Sequence, residues 1–226
     1  MWTEVFGKCD AVLFDLDGTV VDSMWIWKQI DIDYFCKYDL ELPKDYQKEI
    51  EGLSFYETAV LTHDRYIPQI SVDTIMMEWN DMAYEHYAHI IKPKEYVIDF
   101  LKYLRSSGHK VGMVTSNSKP LCSATLKNNG MIGFFDTVIT GEDSIAGKPA
   151  PDVYLKCAAL LGVDNSRCVV FEDLCNGIIA GNRAGMTTVA VNDEYSGHQW
   201  EEKCSMADYS ILSYKEIVDE VCKPNS

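Results

Sequence analysis

The sequence predicts an α/β protein whose core is a doubly wound parallel sheet and which carries a second, helical domain inserted into that core. Two observations predict this fold class. Short apolar runs alternate with amphipathic stretches, which is typical of parallel strands covered by helices on both faces. A long segment from about Met24 to Lys92 interrupts the alternation, with helical spacing and no buried strand.

The strands come first. Apolar runs predict them at 9–14, Lys110–Val114, 135–140, 168–171 and Thr187–Val191, and the last run is expected to close the sheet. Helices are predicted between them at 93–107, 119–129, 151–161 and 176–184. The alternation of strands with helices indicates a Rossmann-like core.

The interrupting segment is the second domain. Ile26, Ile30 and Tyr34 recur at helical spacing, and a further helical pattern covers 75–91. Pro43 and Pro68 divide the segment into several helices. We therefore predict a core formed by 1–22 and 93–226, with a helical insert at 23–92.

Composition narrows the choice of partners. The 226 residues include 20 basic and 35 acidic side chains, for a net charge of −15, and such a surface repels nucleic acid and anionic lipid. The eight cysteines form no Cys-x-x-Cys pair, and Met1-Trp2-Thr3-Glu4 does not resemble a signal peptide. We expect a cytoplasmic protein that binds neither nucleic acid nor membrane. We also expect a monomer, because no extra interface element is visible.

The end of the first strand carries two carboxylates two residues apart, Asp15 and Asp17. Open α/β sheets bind their ligands at this edge. One carboxylate can attack phosphorus, and the other can act as general acid and base. Gly18 permits a sharp turn there. The alternative is a simple Asp-Gly turn after a strand.

Two further segments suit a phosphate. Ser116 and Asn117 follow the second strand at a helix start, where a hydroxyl and free amides can cradle an anion. They could equally serve only to cap the helix. Lys148, between Gly147 and Pro149, could neutralise a phosphoryl group or could be a solvated charge.

Another acidic pair, Glu172 and Asp173, follows the fourth strand. Mg²⁺ prefers hard oxygen ligands and needs only a few carboxylates from the protein. The pair is therefore a candidate magnesium site, with an exposed acidic turn as the alternative.

Taken in order, these motifs resemble those of the haloacid dehalogenase-like (HAD) superfamily. The first motif resembles Asp15-Leu16-Asp17-Gly18-Thr19, the second Ser116, the third Lys148 in Gly-Lys-Pro-x-Pro-Asp, and the fourth Glu172-Asp173. Gly177-Ile178 and Ala184-Gly185-Met186 continue the pattern, so the resemblance covers residues 11–191.

The resemblance implies a role for each residue. Asp15 would be the nucleophile that forms an aspartyl-phosphate, and Asp17 the general acid and base. Mg²⁺ would bind Asp15, the Asp17 carbonyl and Asp173, with Glu172 in or near its coordination shell. The phosphoryl oxygens would be held by Ser116, the Asn117 amide and Lys148. An acid at position 17 is typical of phosphatases and sugar-phosphate mutases, whereas dehalogenases and transport ATPases lack it.

The insert resembles the small helical cap of the β-phosphoglucomutase-like and phosphoglycolate phosphatase-like branch, whose Gly-x-Ser segment matches Glu51-Gly52-Leu53-Ser54-Phe55. Mutases carry basic residues where this chain has Glu51 and Phe55, and a histidine that is missing after Ser23. The prediction is a magnesium-dependent phosphatase for a small phosphate monoester, such as a sugar phosphate or related metabolite.

Other functions are weighed against this one. A β-phosphoglucomutase-like mutase is the alternative within the same branch. A non-catalytic binding module is disfavoured, because such a module needs no nucleophile. His86 and His89 have the spacing of a metal pair without a third ligand, so a solvated helix face is favoured. Trp25 and Trp27 could line a substrate cleft, although a small aromatic core is favoured.

Overall fold

A computed structural model describes residues 1–50, 55–143 and 147–222. Six parallel strands form one sheet in the order β3-β2-β1-β4-β5-β6. The strands are β1 Ala11–Phe14, β2 Lys110–Val114, β3 Thr137–Ile139, β4 Cys168–Glu172, β5 Thr187–Val191 and β6 Tyr209–Ile211. This topology, with helices between the strands, confirms the predicted doubly wound α/β class.

The expectation that Thr187–Val191 closes the sheet is wrong, because β6 pairs with β5 beyond it. Of the three residues of β6, only Ile211 is buried, while Ser210 is exposed. A strand with one buried side chain leaves almost no hydrophobic pattern in a sequence, which is why it was missed.

The described helices are numbered in chain order. They are α1 Trp2–Gly7, α2 Trp25–Lys37, α3 Tyr46–Ile50, α4 Phe55–Arg65, α5 Val72–His89, α6 Val97–Ser106, α7 Lys119–Asn128, α8 Asp152–Leu161, α9 Cys175–Arg183, α10 Trp200–Met206 and α11 Lys215–Val221. The sequence analysis did not predict α1, α10 or α11. None of the described helices has the length and apolar character needed to cross a membrane.

The central strands are buried on both faces because successive side chains alternate between them. Leu13 and Val170 face a cluster that includes Tyr154 of α8. Phe14 and Phe171 point the other way, with ring centroids 5.1 Å apart. Their cluster continues into α6 and α11 through Phe100 and Tyr214, and all four of these rings are fully buried.

The chain divides into two compact units, one of Met1–Met24 with Ile91–Ser226 and one of Trp25–Ile90. The second unit contains α2–α5 and has its own aromatic core, in which Phe35 and Tyr46 have ring centroids 5.0 Å apart. Phe55 packs against Trp27 and Trp79 at 6.0 and 5.6 Å. Residues 51–54 of the predicted Gly-x-Ser segment lie outside the described residues. The assignment of this unit as a cap stays a prediction.

The chain leaves and re-enters the core unit at adjoining positions. Val21 and Pro93 form an antiparallel bridge. The Asp22 N–H donates to the Lys92 carbonyl at 3.0 Å. The two crossing segments are therefore hydrogen-bonded to each other within the core unit.

Phe100 is the ring on which the α6 side of the core depends, since it contacts the rings of Phe6, Phe14, Phe171 and Tyr214. Phe100→Ala is expected to lower the free energy of unfolding by ~3–5 kcal/mol, because it leaves a cavity among rings that cannot close up. Urea denaturation measures the change.

The control for that experiment lies on the same helix. Lys102 is exposed, and its one ion pair among the described residues is with Asp99, at 3.0 Å. Lys102→Ala should change the free energy of unfolding by no more than about 0.5 kcal/mol. Equal stabilities for Phe100→Ala and the wild-type protein would show that the ring cluster does not support the fold.

Candidate active site

The predicted site residues meet at the carboxyl edge of the sheet. Phe14 is in register with Met113 on one side and Phe171 on the other, so the segments that follow β1, β2 and β4 emerge side by side. A cavity of about 190 Å³ lies there, and its lining includes Asp15, Asp17, Ser116, Lys148 and Glu172. All of these residues belong to the core unit.

Lys148 is the cation of this cavity. Its Nζ lies 2.5 Å from Asp15 Oδ1 and 2.5 Å from Glu172 Oε1, and it donates to the Val114 carbonyl at 3.1 Å. Only 9% of the side chain is exposed, so Lys148 is not the solvated charge that the sequence left open. Burial works to lower the pKa of Lys148, but the two carboxylates outweigh it and raise the pKa overall. Lys148 therefore stays protonated.

Asp15 is a buried carboxylate in the lining of the cavity. Its backbone N–H donates to the Phe171 carbonyl at 3.0 Å, so the β1–β4 hydrogen bonding continues one residue beyond the end of β1. Burial raises the pKa of Asp15 well above its ordinary value, and the Lys148 charge acts in the opposite direction. The positive charge of Lys148 thus offsets part of the effect of burial and favours the ionised form of this carboxylate.

Glu172 is held from three sides. Besides Lys148, the Tyr154 hydroxyl donates to Glu172 Oε1 at 2.6 Å. Gly177 packs so closely that a Cβ on it would lie 1.9 Å from Glu172 Cδ. Sequence reasoning missed Tyr154; the available signal was a tyrosine on the apolar face of α8, since a buried tyrosine hydroxyl usually has a hydrogen-bond partner.

Asp173 has one satisfied and one unsatisfied carboxylate oxygen. The Thr19 hydroxyl donates to Oδ1 at 3.2 Å. Oδ2 is buried and has no hydrogen-bond partner among the described residues. Gly18, at φ +73°, leaves room for this oxygen, because a Cβ there would lie 2.2 Å from it. Burial, reinforced by the charge of Glu172, raises the pKa of Asp173 to about 8.

These observations fit a metal ion. One oxygen from each of Asp15, Glu172 and Asp173 lies within 4.8 Å of the others, and all three residues are buried. Hard carboxylate oxygens, an unpartnered Oδ2 and crowded negative charge are what a divalent cation would satisfy. The cluster could therefore bind a metal. The predicted fourth contribution, the carbonyl of Asp17, stays a prediction.

Asp17 is oriented by two donors that the sequence did not connect with it. Ser23 Oγ donates to Asp17 Oδ1 at 2.6 Å, and Asn117 Nδ2 donates to Oδ2 at 3.0 Å. The Asn117 backbone N–H meanwhile donates to Thr115 Oγ1 at 3.0 Å. The predicted role of the Asn117 amide in holding phosphate stays a prediction, while its side chain positions a carboxylate.

The histidine pair that has the spacing of metal ligands, His86 and His89, is not part of this site. The His86 ring packs edge-on against Trp25 at 6.2 Å, and His89 Nε2 lies 3.8 Å from Glu85. Neither histidine belongs to the acidic cluster identified in the described part of the chain.

The family model for haloacid dehalogenase-like hydrolases matches residues 12–191. The chain belongs to this family. The match spans the cavity-lining residues Asp15, Asp17, Ser116, Lys148 and Glu172.

The individual proteins that this chain resembles have low sequence identity to it. Pyrophosphatase PpaX from Bacillus cereus (strain AH820) is 27% identical over 197 residues, covering 86% of this chain and 88% of that protein. The crystal structure of CbbY from Rhodobacter sphaeroides in complex with phosphate has a TM-score of 0.80 at 21% identity, over 92% of this chain and 96% of that one. β-Phosphoglucomutase from Clostridium difficile has a TM-score of 0.73 at 21% identity, over 94% and 96%. The two structures show a shared fold.

The packing of Gly177 on Glu172 can be tested directly. Gly177→Ala is expected to displace the Glu172 carboxylate and lower kcat/KM for phosphate-ester hydrolysis by about 100-fold, since small misplacements of active-site groups are costly. Gly133→Ala serves as the matched control, because a Cβ on Gly133 meets nothing within 4 Å. Equal kinetics for the two variants would show that the close contact does not position Glu172.

Proposed function

We propose that this hydrolase is a magnesium-dependent phosphatase that cleaves a small phosphate monoester through an aspartyl-phosphate on Asp15. The observation that carries the proposal is the buried contact between Lys148 Nζ and Asp15 Oδ1, at 2.5 Å, inside the acidic cluster. The charge of a buried lysine next to a carboxylate favours the ionised form of that carboxylate, which is the form that a nucleophile needs.

The chemistry takes two steps. In the first, a carboxylate oxygen of Asp15 forms a bond to phosphorus while the bond from phosphorus to the ester oxygen breaks, and Asp17 gives its proton to the departing oxygen. In the second, a water oxygen forms a bond to the same phosphorus, the bond from phosphorus to the Asp15 oxygen breaks, and Asp17 accepts a proton from the water. Inorganic phosphate leaves, and Asp15 is restored as a carboxylate.

Lys148 and the segment after β2 would handle the charge of the phosphoryl group. Lys148 offers an ammonium beside Asp15, and exposed Ser116 offers a hydroxyl in the lining of the same cavity. Mg²⁺ would be held by Asp15 and Asp173, with Glu172 and the Asp17 carbonyl contributing as the sequence predicts. When bound, it would neutralise phosphoryl charge and lower the pKa of the clustered carboxylates.

Asp17 needs a fixed orientation to transfer protons in both steps. The Ser23 and Asn117 donors occupy different oxygens of its carboxylate, at 2.6 and 3.0 Å, and so define the plane of that group. A positioned acid contributes roughly 10²–10⁴-fold to such reactions.

There are two alternatives to monoester hydrolysis, one with a different substrate and one with a different reaction. Inorganic pyrophosphate is the second candidate, because a relative that is 27% identical over 86% of this chain is named a pyrophosphatase. The β-phosphoglucomutase-like alternative is disfavoured, since at 21% identity the likeness to a mutase concerns the fold. At a position where mutases carry a basic residue, Phe55 is apolar and packs on two tryptophan rings of its own unit. Glu51, the other such position, lies outside the described residues.

The proposal is tested with a panel of phosphate monoesters, sugar bisphosphates and pyrophosphate, assayed for phosphate release with Mg²⁺. We expect release from at least one monoester, loss of that activity with chelator, and recovery when Mg²⁺ is restored. Asp15→Asn should reduce turnover to background with an unchanged circular dichroism spectrum, because an amide cannot attack phosphorus. Asp15→Asn with full activity, or isomerisation of a sugar phosphate in the presence of its bisphosphate, would contradict the proposal.

The orientation of Asp17 predicts a dependence on the leaving group. Asn117→Ala should lower kcat/KM for an alkyl phosphate by about 10–100-fold, because an alkoxide must be protonated as it leaves. The same variant should keep kcat/KM for 4-nitrophenyl phosphate within about threefold, since nitrophenolate leaves without a proton.

Asn129→Ala is the control for this comparison. Asn129 lies at the other end of α7, where its side chain donates to the carbonyls of Ile91 and Thr125. We expect no difference between the two substrates in that variant. An equal loss on both substrates in Asn117→Ala would mean that Asn117 binds phosphate or supports the fold and does not position the acid.

A further inference from the structure

Lys203 of α10 is a fully buried lysine that no motif includes. Its Nζ donates to three oxygens: the Asp173 carbonyl at 2.7 Å, Ser196 Oγ at 2.9 Å and the Val191 carbonyl at 3.0 Å. Lysines are rarely buried completely, because an ammonium loses its hydration when it leaves water. All three ammonium protons are thus used inside the protein, and one of them reaches a residue of the acidic cluster.

The Asp173 carbonyl receives a second donor as well. Ser196 Oγ donates to it at 3.0 Å, and Ser196 is fully buried. Asp173 follows the last residue of β4, and the β4–β5 register ends at Glu172 and Ala190. Its carbonyl lies beyond the ladder, so a lysine and a serine from beyond β5 provide the hydrogen bonds that a neighbouring strand would otherwise provide.

The other end of the same residue lies in the acidic cluster. The Asp173 side chain has one oxygen bonded to Thr19 and one buried oxygen without a hydrogen-bond partner among the described residues. That oxygen is separated from the backbone by only two carbon atoms. A shift of the Asp173 main chain would therefore move Oδ2 relative to Asp15 and Glu172.

We propose that Lys203, assisted by Ser196, is a positioning residue for the cation site: the two donors hold the Asp173 backbone so that its unpartnered oxygen faces the acidic cluster. This inference rests on the proposed function, because it takes Mg²⁺ as the occupant of that cluster. Lys203 does not contact the cation; it acts through Asp173.

Lys94 distinguishes this role from a general stabilisation of the segment after β5. Its Nζ donates to the Asn192 carbonyl and to Asp193 Oδ2, each at 2.8 Å, and its side chain is 17% exposed. Lys94 thus binds the same segment as Lys203 but makes no hydrogen bond to Asp173. If holding that segment were sufficient, removal of either lysine would have the same effect on the cation.

The test uses the full chain with three substitutions, Lys203→Met, Ser196→Ala and Lys94→Met. Isothermal titration calorimetry measures the Kd for Mg²⁺ alone, and thermal unfolding with and without Mg²⁺ checks folding. We expect Lys203→Met to weaken Mg²⁺ binding by about 10–100-fold, as is usual when a residue that orients a metal ligand is lost. Ser196→Ala should weaken it several-fold, and Lys94→Met should leave the Kd within about twofold of the wild-type value.

Kinetics give a second readout. In Ser196→Ala and Lys203→Met, the Mg²⁺ concentration that gives half-maximal activity should rise, while KM for 4-nitrophenyl phosphate at saturating Mg²⁺ stays within about twofold of the wild-type KM. A substitution that only loosened the fold would not separate these two quantities. If Lys203→Met fails to fold, Ser196→Ala alone decides the matter.

Three results would overturn the inference. The first is wild-type Mg²⁺ affinity in both single variants, Ser196→Ala and Lys203→Met. If Lys203→Met does not fold, wild-type affinity in Ser196→Ala has the same meaning. Either result overturns the inference and leaves the proposed function intact. If Lys94→Met weakens Mg²⁺ binding as much as Lys203→Met does, Lys203 only stabilises the segment after β5. A wild-type protein that binds no Mg²⁺ removes the cation from the proposed function and this inference with it.

Discussion

Mutual repulsion among buried carboxylates is the constraint on which the rest of the core unit depends. Asp15, Glu172 and Asp173 have oxygens within 4.8 Å of one another, and all three residues are buried. Because the protein interior solvates charge poorly, carboxylates can be buried together only if each has a positive charge or a hydrogen-bond donor nearby. Lys148 supplies the positive charge for Asp15 and Glu172, and a tyrosine and a threonine hydroxyl contribute hydrogen bonds. One oxygen of Asp173 has no hydrogen-bond partner in the described part of the chain.

The same crowding accounts for two glycines of the motifs, Gly177 and Gly18. At Gly177 the backbone conformation is helical, so any residue could adopt it, yet a Cβ would fall 1.9 Å from a carboxylate carbon. At Gly18 two requirements coincide, a positive φ of +73° and an acid oxygen 2.2 Å from where a Cβ would stand. Both positions are empty of side chain because carboxylates fill the space, and the loop conformation is a separate demand only at Gly18.

Features that depend on neighbouring residues in the sequence could be predicted, whereas contacts between distant residues mostly could not. Lys110–Val114 and Thr187–Val191 were predicted at the bounds that the structure has, because a run of buried apolar residues is a local property. The convergence of Asp15 and Glu172 was predictable because parallel strands end at one edge, whereas only the family resemblance connected Lys148 with them. Tyr154 and Lys203 were not, since each acts on a residue 18 or 30 positions away through packing that no local pattern records. The edge strand β6 was missed for the opposite reason, because it is local but buries one side chain.

The bridge between Val21 and Pro93 has a consequence for the evolution of the chain. The polypeptide leaves the core and returns to it at neighbouring points, and the bridge lies on the core side of both crossings. Opposed residues of an antiparallel pair stand about 5 Å apart. Whatever lies between them is therefore a loop whose two ends are already joined, and its length adds little to the entropy of closure. Recombination could exchange such a loop for another of unrelated sequence without altering a single strand of the sheet.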